Sequence, residues 1–285
     1  MLAKLSMPWL STLARPGLAP IVRNHGRVYA KLQWPYLSKK FTGAEKLAFL
    51  KYHYQFLEES FPSPLIERIA SQDGHTLCRM DLQETGVLSL QLRYSPFEKE
   101  GDLSITLVDC LTREHIGSIT FSVTHWTPES RELLIGGIQG HRFANEKART
   151  IEITRAMFGL RPKALLVFAI QQFAKRWKIE RIRAVSNELH IYRSLRKRRE
   201  IAADYDLFWS ECGGHPEASG LFALPLSPQL KNIAELKPNK RTVYRKRYAM
   251  FDQLAEEISR MAVIPEQQKT TGTDTTIDHF AASNL

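Results

Sequence analysis

Long apolar runs are the first thing this sequence lacks. Nowhere in its 285 residues is there an unbroken apolar stretch of the roughly 20 residues that cross a bilayer, so no transmembrane segment is expected. The first 20 residues superficially resemble a targeting segment, but Pro8, Arg15, Pro16 and Pro20 interrupt it before it reaches signal-peptide length. Cysteine is scarce. Cys78, Cys110 and Cys212 are odd in number, far apart and without a CxxC pair, which excludes a disulfide framework and fits a reducing cytoplasm. Also missing are GxxxxGK[ST], HExxH, GxSxG and a paired-glycine dinucleotide fingerprint, which sets aside the common nucleotide hydrolases, zinc proteases and α/β-hydrolases. No helix-turn-helix, zinc-finger or RNA-binding aromatic pattern occurs either, which argues against sequence-specific reading of nucleic acid.

What is present is an ordinary globular composition, 43% hydrophobic and 25% charged, sufficient for a sizeable core. The net charge of +10 is less ordinary, and it favours an acidic partner: an anionic membrane surface, nucleic acid or a phosphorylated small molecule. Residues 1–60 alone carry nine basic side chains against Glu45, Glu58 and Glu59. Interleaved Leu2, Leu5, Trp9, Leu10, Leu13, Trp34 and Tyr36 could reach the interfacial layer of an anionic membrane, or could simply cover the folded domain. The expected location is the cytoplasm, with at most peripheral attachment to the inner membrane.

Thr42 with Glu45 forms a capping box that opens an amphipathic helix ending near Ser60. The period then changes. VLSLQLRY, LSITLVD and IGSITFSVT alternate apolar and polar residues and predict an antiparallel meander. LLIGGIQG (Leu133–Gly140) is apolar without alternation, as in a strand covered on both faces, and glycine inside it marks a bulge or the close approach of another group. Helices are predicted over Glu146–Phe158 and from Pro162 onward, then a short strand at Ile182–Ser186, a crossover pattern for a parallel neighbour. DLFWSE and GLFALPL read as a second hairpin, and a basic helix over Lys240–Ala262 closes the domain. The expected fold is α+β: a mixed, mostly antiparallel sheet flanked by helices. The expected division is an N-terminal basic helical region at 1–70, an α/β core at 71–263 and a disordered polar tail at 264–285.

The segments LLIGGIQG, GLRPKALL, IRAVSNELHIYRS, YDLFWSECGG, GLFALPL and KRTVYRKRY, in this order between Leu133 and Tyr248, resemble the VirK/YbjX family of Gram-negative bacteria. The resemblance implies an accessory role in envelope stress or virulence, exercised from the cytoplasm, and transfers no catalytic residues. The element order is also similar to the GNAT (N-acetyltransferase-like) fold. That likeness implies acyl transfer, with acyl-CoA or the phosphopantetheine of an acyl carrier as donor. The donor's phosphates would meet the helix start at Gly159-Leu160-Arg161-Pro162-Lys163, which departs from the usual glycine-rich turn and where Pro162 removes one N–H. Arg161 and Lys163 would offset that loss, and Gly136, Gly137, Gln139 and Gly140 would line the sheet edge.

His190 and Tyr192 follow the predicted fifth strand, where ligands gather in parallel-type sheets, and are candidates for proton transfer together with Glu211. The competing reading of His190 is a core histidine satisfied by backbone hydrogen bonds. Cys212 and His215 have metal-like spacing, but two ligands do not make a structural zinc site, which needs four, so no metal is expected. Arg196 and Lys197 in one basic run, and Arg241 and Arg245 in another, are candidates for an anionic partner. Three functional expectations follow: an acyltransferase-like accessory protein, a non-enzymatic binder of anionic lipid or a membrane-associated partner, and a nonspecific nucleic-acid binder.

Overall fold

Period-two patterning builds most of the sheet. In the computed structural model, which describes residues 2–82, 86–127, 130–140, 146–192 and 204–261, the meander is β2 (Val87–Tyr94), β3 (Leu103–Asp109) and β4 (His115–Thr124), each antiparallel to the next. An unexpected edge strand, β1 (His75–Asp81), precedes it; HTLCRMD buries only part of one face, and its alternation is correspondingly weak. On the other side β4 pairs with β5 (Glu132–Gly140), which runs parallel to β6 (Arg181–Val185). A closing hairpin of β7 (His215–Pro216) and β8 (Leu221–Leu224) inserts β8 next to β6. The strand order is therefore β1-β2-β3-β4-β5-β6-β8-β7, mixed and mostly antiparallel, with the element order expected from the GNAT likeness.

Helices cover both faces. The N-terminal helices α1 (Leu2–Leu13), α2 (Ala19–Asn24), α3 (Gly43–Ser60) and α4 (Ser63–Ala70) form one layer, with α3 on β4 and α4 on β1 and β2. The Thr42–Glu45 capping box starts α3 as its sequence requires. After α5 (Glu146–Ala156), the crossover helix α6 (Pro162–Arg176) packs on β3, β4 and β5 from the other side, placing Phe173 edge-on to Phe121. On β4, Phe121 thus faces α6 while its neighbour Ser122 faces the N-terminal layer.

DLFWSE is not a strand. It is helix α7 (Tyr205–Glu211), because Asp204 caps it by accepting from Leu207 N and because Tyr205 and Trp209, four apart, bury on one face. The chain ends its described part in α8 (Pro238–Ser259), which lies on α6 and on β1.

Trp9 and Tyr36 belong to the core, whereas Tyr29 is exposed and Trp34 partly so. Trp9 is 1% exposed, donates its indole N–H to Val28 O at 3.2 Å and packs edge-on against Tyr54. Leu13 and Tyr36 are buried too, and Met7 and Leu10 of α1 are exposed. One continuous hydrophobic cluster includes Trp9, the sheet and α8, so covering the folded domain is what these residues do. No helix among the described residues is long and apolar enough to cross a membrane.

Candidate functional site

The β5–β6 ladder ends at Ile135↔Ala184, and beyond it the strands part. A bulge at this point of β5 takes Gly136 out of register with β4, between the pairs Phe121↔Ile135 and Thr120↔Gly137. The group that approaches the glycines is the chain's own. The turn between β2 and β3 crosses β4 and brings Glu100 onto β5, so close that a Cβ on Gly136 would lie 1.9 Å from Glu100 O and one on Gly137 2.2 Å from its Oε2. The adjoining Gly101, with φ +153°, lies against the backbone of Phe121, where a side chain would collide at 2.7 Å.

Glu100 is 1% exposed, and both of its carboxylate oxygens accept from Gln139 Nε2, at 3.2 and 3.1 Å. Facing it is His190, also buried, whose Nε2 lies 3.5 Å from Glu100 Oε1. His190 Nδ1 accepts from Tyr192 N at 3.3 Å, so the proton of the neutral ring is on Nε2, facing Glu100. Among the described residues that Nε2 finds no hydrogen-bond partner, although it is buried. A buried polar atom left unsatisfied is costly and marks a place where a further partner would be welcome. Tyr205, in ring contact with His190, completes the wall. Its hydroxyl bridges the free edge of β5, donating to Ile138 O at 3.3 Å and accepting from Ile138 N at 3.4 Å. Helix α7, which carries Tyr205, is fastened to the end of β6 through Asn187 and through Trp209 Nε1 donating to Val185 O at 2.9 Å. Tyr192 is half-buried, and burial, followed by the negative charge of Glu100, raises its hydroxyl pKa.

Two residues along the same turn, Asp102 is buried in the opposite manner. Lys31 Nζ is 2.6 Å from Asp102 Oδ1, and both side chains are essentially inaccessible. Tyr54 donates to Oδ1 and Ser122 to Oδ2, each at 2.9 Å, and Tyr36 donates to Oδ2 as well. Burial alone would raise the Asp102 pKa, but Lys31, the nearby His53 and these hydrogen bonds outweigh it and hold the carboxyl at about 2. Lys31 is pushed the other way, its pKa raised because Asp102 outweighs the effect of burial.

The structure thus sorts the expected site residues into groups. His190, Tyr192, Gly136, Gly137 and Gln139 come together at the parted strands, with Gly140 ending β5. Arg161, Lys163 and Glu211 sit elsewhere, at the start of α6 and the far end of α7 from Tyr205. Arg161 pairs with Glu211 at 2.6 Å, and Lys163 lies over the Phe208 ring. Beside them is a cavity of about 360 Å³ between α6, α7 and α8, lined in part by Leu160, Ala164, Lys231, Tyr244 and Arg247. Arg241 donates to the carbonyls of Leu236 and Ala234, whereas Arg245 is exposed. Arg196 and Lys197 lie outside the described residues. The Cys212 thiol is pushed up to about 11 by burial, which keeps it protonated and unreactive near neutrality. No cluster of three or more His, Cys, Asp or Glu among the described residues could hold a metal.

Sequence reasoning missed Glu100, Tyr205 and the Lys31–Asp102 pair. Glu100 stands in SPFEKEGD, a charged run that reads as a solvated turn, and Tyr205 stands just before DLFWSE, the segment read as a strand.

A profile described as "Protein of unknown function (DUF535)" matches residues 1–260. YbjX of Escherichia coli (strain K12) is 33% identical over 267 residues, which cover 90% of this chain and 79% of that protein. A Haemophilus influenzae protein is 30% identical over 227 residues, covering 79% of this chain and 74% of its own length.

Proposed function

We propose a function from one premise: the chain belongs to the DUF535 family, the VirK/YbjX family that its sequence resembles. On this reading the parted strands β5 and β6 hold a proton-transfer site, and the reaction is transfer of an acyl group from a thioester carrier to an amine or hydroxyl. The observation that carries it is the buried Glu100–His190 pair, in which, among the described residues, the carboxylate has no full cationic partner and the imidazole N–H no hydrogen bond. Such an arrangement stabilises the fold poorly, yet it puts a base and a donor side by side. Glu100 takes the proton of the nucleophile as its bond to the acyl carbon forms. The Nε2–H of His190 supports the negative charge that gathers on the thioester oxygen. The carbon–sulfur bond then breaks, and the thiolate leaves with the proton returned from Glu100.

The element order supports acyl transfer among the reaction classes, and the cavity at the first turns of α6 lies beside Arg161 and Lys163, where donor phosphates were expected. The free edge of β5 is bridged by the Tyr205 hydroxyl, so a pantetheine arm running along that edge would have to displace it. The family resemblance supplies the setting, an accessory role in the bacterial envelope under stress or during virulence. The test is release of free thiol from acyl-CoA thioesters of increasing chain length, offered with a panel of amines and alcohols. Glu100→Gln and His190→Asn should each lower the rate about 100-fold or more with the fold intact. No release above background by the parent chain with any donor would count against acyl transfer.

A further inference from the structure

We infer that the segment Lys31–Lys39 positions the Glu100–His190 site, with Lys31 as its principal positioning residue. The inference rests on the reading of that pair as the reactive site, and it concerns how two loops are held in register. Neither side chain stands within a strand or helix: Glu100 lies in the turn before β3, and His190 in the turn after β6. Loops are the least constrained elements of a fold, so a pair built on two of them needs external support.

One short run of chain grips both loops on residues flanking the reactive ones. On the Glu100 side, Lys31 Nζ donates to Glu98 O at 3.2 Å and pairs with Asp102 at 2.6 Å, and Leu37 N donates to Lys99 O at 2.8 Å. On the His190 side, Lys39 N and Ser38 Oγ both donate to Leu189 O, at 3.1 and 3.3 Å. Lys40 adds an exposed pair to Glu188. Between the two grips the backbone reverses at Leu37, whose φ of 58° is in the left-handed region that leucine disfavours. Leu37 and Tyr36 are almost wholly buried. The segment is itself tied to α3, because Lys46 Nζ donates to Leu32 O and Trp34 O. Segments more than 60 residues apart in the chain are thereby fixed with a single backbone bridge between them.

The inference is tested by following the His190 ring signals by NMR through a pH titration of the full chain. The double variant Lys31→Met/Asp102→Asn replaces a neutral pair by a neutral pair, so the net charge near His190 is conserved. A change in the His190 titration that Ser38→Ala, which removes no charge, reproduces in the same direction then reports a moved carboxylate. The expected result is a shift of the midpoint by about half a pH unit or more, with a smaller shift in the same direction for Ser38→Ala, which removes one hydrogen bond and keeps the fold. Unchanged His190 titration in both variants would overturn the inference, even if the double variant is less stable. If it does not fold, Ser38→Ala alone decides. A moved titration in a chain without thioester activity would keep the positioning role and discard the acyl-transfer reading. Activity that depends on Glu100 with an unmoved titration would do the reverse.

Discussion

Asp102 and Glu100 are two residues apart in one turn, equally buried, and solvated by the protein in opposite ways. Asp102 receives an ammonium, two tyrosine hydroxyls and a serine hydroxyl, and its carboxyl is held at about 2. Among the described residues, Glu100 receives one side-chain amide group and faces an imidazole that stops at 3.5 Å. A charge that is fully paired contributes to holding the N-terminal layer on the sheet; the other carboxylate has fewer donors among the described residues. The difference teaches that burial alone does not tell how well a charge is paired. The count of donors around it does.

The comparison breaks most visibly on the Asp102 side. Lys31→Met leaves a buried carboxylate without its cation and should cost about 3–5 kcal/mol in urea unfolding; restoring most of this by adding Asp102→Asn would confirm the cause. Trp9→Ala should cost a similar amount, about 3–5 kcal/mol, through the cavity left between Val28 and Tyr54. A Trp9 variant with unchanged stability and lost binding to anionic vesicles would instead favour the surface-anchor reading.

Acid should reach the same layer before it reaches Asp102. Burial lowers the His53 pKa from 6.5 to about 4, so the unfolded chain binds a proton here that the folded chain refuses. Stability from this group is complete above pH 6.5 and falls as the pH drops towards 4, by about 3 kcal/mol in all. The partly buried His25, His75 and His125 are lowered by burial as well, as is the more exposed His115, and they add to the slope. His53→Gln should therefore remove about one proton from the measured pH dependence of unfolding, not abolish it.

The scaffold of this comparison was legible in the sequence, and its chemistry only half so. Alternation gave the meander, the capping box gave α3, and the non-alternating LLIGGIQG marked a covered strand with something against its glycines. His190 and Tyr192 were singled out because they follow a strand end, and the structure places His190 beside Glu100. Their partner was not, because Glu100 comes from a turn that is adjacent only through the crossing of β4, and nothing in SPFEKEGD distinguishes a buried acid from a solvated one. Trp9 in a basic, leucine-containing run has the composition of an interfacial anchor, and only packing against Tyr54 makes it core.

On the Glu100 side the effects on stability shrink. Gly137→Ala should cost about 1–3 kcal/mol, since its Cβ would collide with the Glu100 carboxylate, and Glu100→Ala in the same chain should recover part of it. Glu100→Gln keeps the shape and the contact with Gln139 and should change unfolding by less than about 1 kcal/mol, the smallest effect of the series.

That variant also provides the most direct measurement: the rate of thiol release from acyl-CoA by the parent chain and by Glu100→Gln, at matched urea midpoints. A loss of about 100-fold or more with an unmoved midpoint is the predicted result. Equal rates in the two proteins would contradict the assignment of Glu100 as the reactive carboxylate.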